Sequence, residues 1–170
     1  MTYLAAAAEL DLHDLPLQAA WAYELGLREH DVAASDFINL IALYFLCADA
    51  GYAAHHHLGD LFVQKSEDRF FELIAEAERV VGPNAEITFW RDYYAYIHHG
   101  AEPIEQVCQD LVLRSGSLVP YMYLYAFVDR ERFAQQARRL HDEIQGGRTV
   151  RERYLKSVLE SHAVTARGRI

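Results

Sequence analysis

Three consecutive histidines, His55 to His57, are the most prominent side chains with metal-binding chemistry in this 170-residue sequence. If the segment is helical, His56 and Asp60 share a face, and His98 or His99 could supply a third ligand. Consecutive histidines point in different directions around a helix, however, and the sequence has no HExxH or CxxC motif. We therefore expect no bound metal and no other cofactor, with a small metal-binding helical bundle that uses His56, Asp60 and His98 as an alternative.

Nucleophilic catalysis and phosphate binding lack their usual motifs. The sequence contains no GxSxG, GxxxxGK[ST] or GxGxxG pattern. Cys47 lies within a long apolar run, where a thiol stays protonated, and Cys108 lies on an amphipathic helix where it could be half exposed. We expect Cys47 to be buried, reduced and unreactive, and we expect the protein not to be an enzyme.

Helical periodicity extends over nearly the whole chain. Residues 130–145, for example, place Phe133, Ala137, Leu140 and Ile144 on one face. Tyrosines alternate in residues 121–127, as in a strand, but no second strand-like run exists to pair with them. The sequence predicts one all-α domain over residues 1–170, with eight or nine helices and with residues 163–170 as a loose tail.

The N-terminus and the apolar segments indicate a cytoplasmic protein. The first ten residues contain an acid and lack the basic residues of a secretory signal. The longest uncharged apolar run, residues 37–48, is twelve residues long, whereas a membrane-spanning helix needs about twenty. We therefore expect no membrane association.

Two aromatic-rich helices indicate an internal repeat, because they end at Gly51 and Gly100, 49 residues apart. The positions that correspond in the two helices are Leu40, Tyr44 and Cys47 in the first and Phe89, Tyr93 and Tyr96 in the second. Over roughly residues 15–145 the chain resembles a degenerate tetratricopeptide-like helical-hairpin repeat. The resemblance implies a short solenoid of stacked antiparallel hairpins whose first helices line a concave surface.

A second aromatic face on residues 85–99 would point into that concave surface. Trp90, Tyr94 and His98 lie along it. The equivalent positions in the preceding hairpin are Ile41, Phe45 and Asp49. Aromatic side chains dominate the energetics of protein interfaces, so this face predicts a partner-binding groove. The alternative is that a final helix folds into the concave surface and buries the stripe.

The charge distribution indicates the type of partner. Residues 1–110 carry a net charge of −14, and the last sixty residues carry +5. An acidic surface repels phosphates, which argues against nucleic acid, and attracts a basic protein. The predicted partner-binding residues are Phe45, Asp49, Trp90, Tyr94, His98, Glu67 and Asp68.

The function predicted from these features is that of a non-enzymatic protein-binding module. A bacterial immunity-type protein, which neutralises a toxin by direct binding, is the leading interpretation. A secretion chaperone or adaptor of the tetratricopeptide type is the alternative. Both classes combine small size, acidity and helical folds with an absence of catalytic motifs.

Overall fold

The computed structural model describes residues 2–29 and 32–167, with the side chains described as far as residue 163. These residues form ten α-helices and no strand, which confirms the all-α prediction with one helix more than the upper estimate. The helices are α1 (Tyr3–Leu12), α2 (Pro16–Gly26), α3 (Ala34–Cys47), α4 (Ala50–His55), α5 (Asp60–Val81), α6 (Ala85–His99), α7 (Glu105–Ser115), α8 (Pro120–Tyr123), α9 (Arg130–Glu143) and α10 (Val150–Arg167).

The segment with alternating tyrosines is helical, as predicted. Pro120 begins α8, and a π-helical turn over Leu124–Val128 continues it. At the C-terminus α10 continues through Arg167, so residues 163–167 of the expected loose tail are helical. Residues 168–170 of that tail lie outside the described part of the chain.

Local side-chain and glycine chemistry sets several helix ends. The Asn84 side chain accepts the backbone N–H groups of Glu86 and Ile87 at 2.9 and 3.3 Å, so it caps α6. Gly100, at φ 62°, ends α6 in the left-handed region that glycine adopts readily. The prediction for Gly51 is wrong, because α3 already ends at Cys47 and Gly51 lies inside α4.

Helix α3 lies at the centre of the fold, and every residue from Phe37 to Cys47 except Asn39 is buried. Helices α2, α5, α6 and α10 all pack against it, so it has no solvent-facing side over most of its length. A helix that is apolar all round requires such an environment. The last helix, α10, therefore returns to pack against α3 in the core.

Both cysteines lie in this core. Cys47 and Cys108 are buried and not linked to each other. The prediction of a buried, reduced Cys47 is confirmed, and Cys108 is fully buried, whereas the sequence left room for half exposure. None of the helices in residues 2–29 and 32–167 combines the length and hydrophobicity that crossing a bilayer requires.

Candidate protein-binding surface

The aromatic residues predicted to line a groove are in the core. Trp90 and Tyr94 are 0 % and 1 % exposed, and Phe45 is 2 % exposed. Five residues have ring centroids 5.1–5.9 Å from the ring centroid of Phe45: Trp90, Tyr93, Tyr94, His98 and Tyr154. The expected groove is therefore closed, because packing these rings together removes a large apolar area from water.

Helix α10 closes the groove, as the alternative interpretation of the sequence had it. Its Tyr154 packs on Phe45, and the Tyr154 and Tyr93 hydroxyls are 2.8 Å apart. From the other side α5 contributes Phe70, which stacks on Tyr94 with the ring centroids 4.3 Å apart. Side chains enclosed in this way cannot serve as interface anchors in the folded protein.

The polar members of the predicted set are dispersed. His98 packs its ring edge against Phe45, and burial lowers its pKa below the ordinary value. Exposed Asp49 caps α4 by accepting the Tyr52 N–H at 2.8 Å. Glu67 pairs with His99 at 3.1 Å, and Asp68 is exposed on α5. Only the acids of the set therefore remain at the surface, and they do not surround a common site.

The predicted metal ligands are not assembled. Among residues 2–29 and 32–167, one group of three potential ligand atoms lies within 4.8 Å of one another, and it comprises Asp14, His55 and His56. That group places His56 with Asp14 and contains neither Asp60 nor His98, the ligands that the sequence suggested. The reason is that α4 ends at His55, so the helical spacing does not continue to Asp60.

The most exposed aromatic side chain in the described chain is Trp21 on α2, which is 72 % exposed. Leu17, one turn earlier on the same helix, is 44 % exposed, and Tyr3 of α1 is 51 % exposed. A large apolar side chain on the surface is unfavourable in water, and a group of them marks an interaction site more often than an isolated one does. We call this group and the two clefts beside it the Trp21 surface.

The first of these clefts, the apolar cleft, lies between α1 and α2 and has a volume of about 600 Å³. It is lined by Tyr3, Ala6, Leu10, Leu17, Gln18, Trp21, Ala22 and Leu25. The two helices approach closely at Gly26, where a Cβ atom would lie 2.5 Å from Leu4 Cδ2 and 3.1 Å from the Leu4 backbone nitrogen. Small residues in the α1–α2 hairpin thus leave a shallow apolar depression beside the Trp21 indole.

The second, the charged cleft, lies on the other side of Trp21 between α2 and α5 and has a volume of about 700 Å³. Arg69 is one of the residues that line it, and its Nε and Nη2 donate to the two Glu24 carboxylate oxygens at 2.7 and 2.9 Å. Tyr44 donates to Glu24 at 3.1 Å, and Arg69 also pairs with Glu76 at 3.1 Å. Hydrogen bonding to Glu24 raises the pKa of Arg69, so this network is charged and preorganised.

The charges lining this cleft are balanced. Three acids, Glu24, Asp68 and Glu72, face three bases, Arg28, Lys65 and Arg69. The acidic excess comes from the surrounding structure, since α5 as a whole carries six acids and three bases. The clefts therefore provide shape and apolar contact, and the helices around them provide the negative field.

The importance of Trp21 was missed in the sequence, although a signal for it is present. Leu17, Trp21 and Leu25 recur every four residues on α2, whereas Ala19 and Tyr23 are buried. Helix α2 thus carries a second apolar stripe besides the one that faces the core. Two apolar stripes on one helix predict either complete burial or an exposed binding face.

Comparisons with known proteins give no family. No family model matches the sequence, and no curated protein and no solved structure matches it.

Proposed function

We propose that this protein is a non-enzymatic protein-binding module that docks its partner on the Trp21 surface. The observation that carries the proposal is the 72 % exposure of Trp21 between two clefts. Tryptophan is among the residue types that contribute most to binding when an interface buries them. The surface replaces the groove around Trp90 and Tyr94 in the function predicted from the sequence.

The partner is a protein segment that places apolar side chains in the apolar cleft and carries basic residues around them. The net charge of −14 over residues 1–110 supports this choice, because opposite charges accelerate encounter. Asp68 lines the charged cleft, and Glu67 precedes it on α5. These two acids keep their proposed role as peripheral charges that steer the partner toward Trp21.

A bacterial immunity-type protein is the biological role that we propose for such a module. An immunity protein binds its folded toxin and abolishes the toxin's activity, whereas a secretion chaperone or adaptor holds its substrate before export. The related proposal of a tetratricopeptide-like stack of hairpins stays a prediction. The hairpin formed by α1 and α2, which pack tightly against each other, supports it. The two roles are distinguished by coexpressing this protein with the product of a neighbouring gene. An immunity protein abolishes the toxicity of that product, whereas a chaperone does not.

The test compares wild type with Trp21→Ala, using Leu113→Ala as the matched control. Leu113 is 83 % exposed on α7 and does not line either cleft, so its removal also deletes an exposed apolar side chain. A partner first captured with wild type is purified, and its association and dissociation rates are measured against all three proteins. We expect Trp21→Ala to speed dissociation by about 30-fold or more, as expected for an interface anchor.

Two further outcomes are decisive. The Asp68→Asn variant should slow association and reduce its dependence on salt, with little change in dissociation. If Trp21→Ala binds the partner as wild type does, the Trp21 surface is not the docking site. If the protein instead forms a dimer that Trp21→Ala abolishes, the occupant of the surface is a second copy of this chain and the proposed partner is wrong.

A further inference from the structure

We propose that Asp14, His55 and His56 form a binding site for one Zn²⁺ ion. Their three potential ligand atoms lie within 4.8 Å of one another at the junction of the α1–α2 turn with the end of α4. His56 Nε2 is 3.6 Å from Asp14 Oδ2, and the His55 and His56 ring centroids are 4.8 Å apart. Two imidazoles and one carboxylate are a ligand set that Zn²⁺ accepts, and small side-chain rotations bring them to coordination distance.

The local backbone allows consecutive histidines to face one ion. His55 is the last residue of α4, and His56 is its C-terminal cap, where the chain leaves the helix. His57 then adopts φ 53°, so the segment turns sharply after the pair. At this helix end the two adjacent rings lie together, with their centroids 4.8 Å apart, so one ligand atom from each falls within the same group as Asp14.

Arg153 orients the Asp14 carboxylate. Its Oδ1 atom is 3.3 Å from Arg153 Nη2, while its Oδ2 atom faces His56. Arg153 also contacts the buried carboxylate of Asp11 at 3.1 Å, which balances its positive charge. One carboxylate oxygen is thus occupied by an orienting partner and the other is directed at the histidines, as in many zinc sites.

The site opens on a cavity of about 310 Å³ that Tyr52, Tyr154 and Ser157 line together with the three ligands. The Tyr52 hydroxyl is buried and has no hydrogen-bond partner within the described residues, and its ring centroid is 4.3 Å from that of His56. Buried hydroxyls without a partner are unfavourable. A water molecule on the fourth coordination position of Zn²⁺ would offer the Tyr52 hydroxyl a partner, which indicates an open site with an exchangeable ligand.

The test is calorimetric titration of the untagged protein with Zn²⁺, together with the visible absorption of the Co²⁺ form. We expect one equivalent of Zn²⁺ and the absorption bands of four-coordinate cobalt. Asp14→Asn, His55→Ala and His56→Ala should each weaken Zn²⁺ binding by about 10-fold or more. Because Asp14 and His55 are exposed, their variants decide the question even if His56→Ala unfolds.

Two neighbouring histidines provide matched controls. His13→Ala removes an exposed imidazole next to Asp14, and His57→Asn removes the third histidine of the triplet at a φ that asparagine tolerates. Both should bind Zn²⁺ as wild type does. The proposal is overturned if wild type binds no Zn²⁺ at about 100 µM, a weak limit for sites of this type, or if His57→Asn weakens binding as much as His56→Ala.

Discussion

Asp11 Oδ1 accepts the backbone N–H of Val150 at 2.8 Å and thereby joins the first helix to the first turn of the last. Val150 begins α10, so its N–H has no acceptor within its own helix. Arg153, one turn later, donates to the same carboxylate oxygen at 3.1 Å. Asp11 thus caps α10 and holds it in the position from which Tyr154 covers the aromatic core.

This buried carboxylate should make stability depend on pH. Burial raises the pKa of Asp11 from 3.8 to about 6, against the opposing effect of Arg153. The folded protein therefore binds the Asp11 proton more tightly than the unfolded chain does. Between pH 4 and 6 the free energy of unfolding should fall as the pH rises, by up to about 3 kcal/mol from this group.

Urea denaturation of wild type and Asp11→Asn at pH 4.5 and 7.5 measures this effect, because the variant lacks the titrating group. The unfolding free energy of wild type minus that of the variant should be smaller at pH 7.5. A difference that stays constant or grows would contradict the raised pKa.

The two tryptophans should differ sharply in their contributions to stability. Trp90 is fully buried, and Trp90→Ala should lower the free energy of unfolding by about 3–5 kcal/mol through loss of apolar burial and creation of a cavity. Trp21→Ala should change it by less than about 0.5 kcal/mol, because Trp21 is largely in solvent. Chemical denaturation of the two variants checks this, and equal losses would show that one assignment of exposure is wrong.

Glu86 and Arg151 should be strongly coupled. Arg151 Nη2 is 2.8 Å from Glu86 Oε2. The Arg151 side chain is only 18 % exposed, and the Glu86 side chain is only 13 % exposed. Glu86 also accepts the Trp90 Nε1–H at 3.1 Å. Removing one member of such a pair leaves the other charge buried, so Arg151→Met should cost about 3 kcal/mol or more.

A double-mutant cycle measures this coupling by denaturation. Adding Glu86→Leu to Arg151→Met should cost much less than Glu86→Leu costs in wild type, because the remaining charge is then removed. Additive effects of the two substitutions would show that the pair is not coupled.

Both cysteines should be inert in the native state. Burial raises the pKa of Cys47 and of Cys108 to about 12, so neither thiol ionises appreciably at pH 8. A chromogenic thiol reagent should react only at the rate of unfolding and should then titrate two thiols per chain. Rapid reaction of one thiol before unfolding would mean that its helix opens locally.

Local features of the sequence determined the helices. Gly100 ends α6 as predicted and Asn84 begins it, because a left-handed glycine and a capping side chain act within a few residues. The absence of a second strand-like run predicted the helical state of residues 121–127 for an equally general reason, since a strand needs a partner. The apolar character of residues 37–47 likewise required α3 to be buried on all sides.

Only the tertiary structure decided which apolar faces meet. Trp90 and Trp21 each lie on an apolar stripe of a helix, and periodicity marks each stripe as apolar, but it does not specify the neighbouring helix. Because α10 returns to α3, Trp90 is covered, while no other described helix covers Trp21. In the same way Asp14, in the turn between α1 and α2, meets His56 at the end of α4 only in the folded chain, because contacts between distant residues depend on how helices pack and not on spacing along the chain.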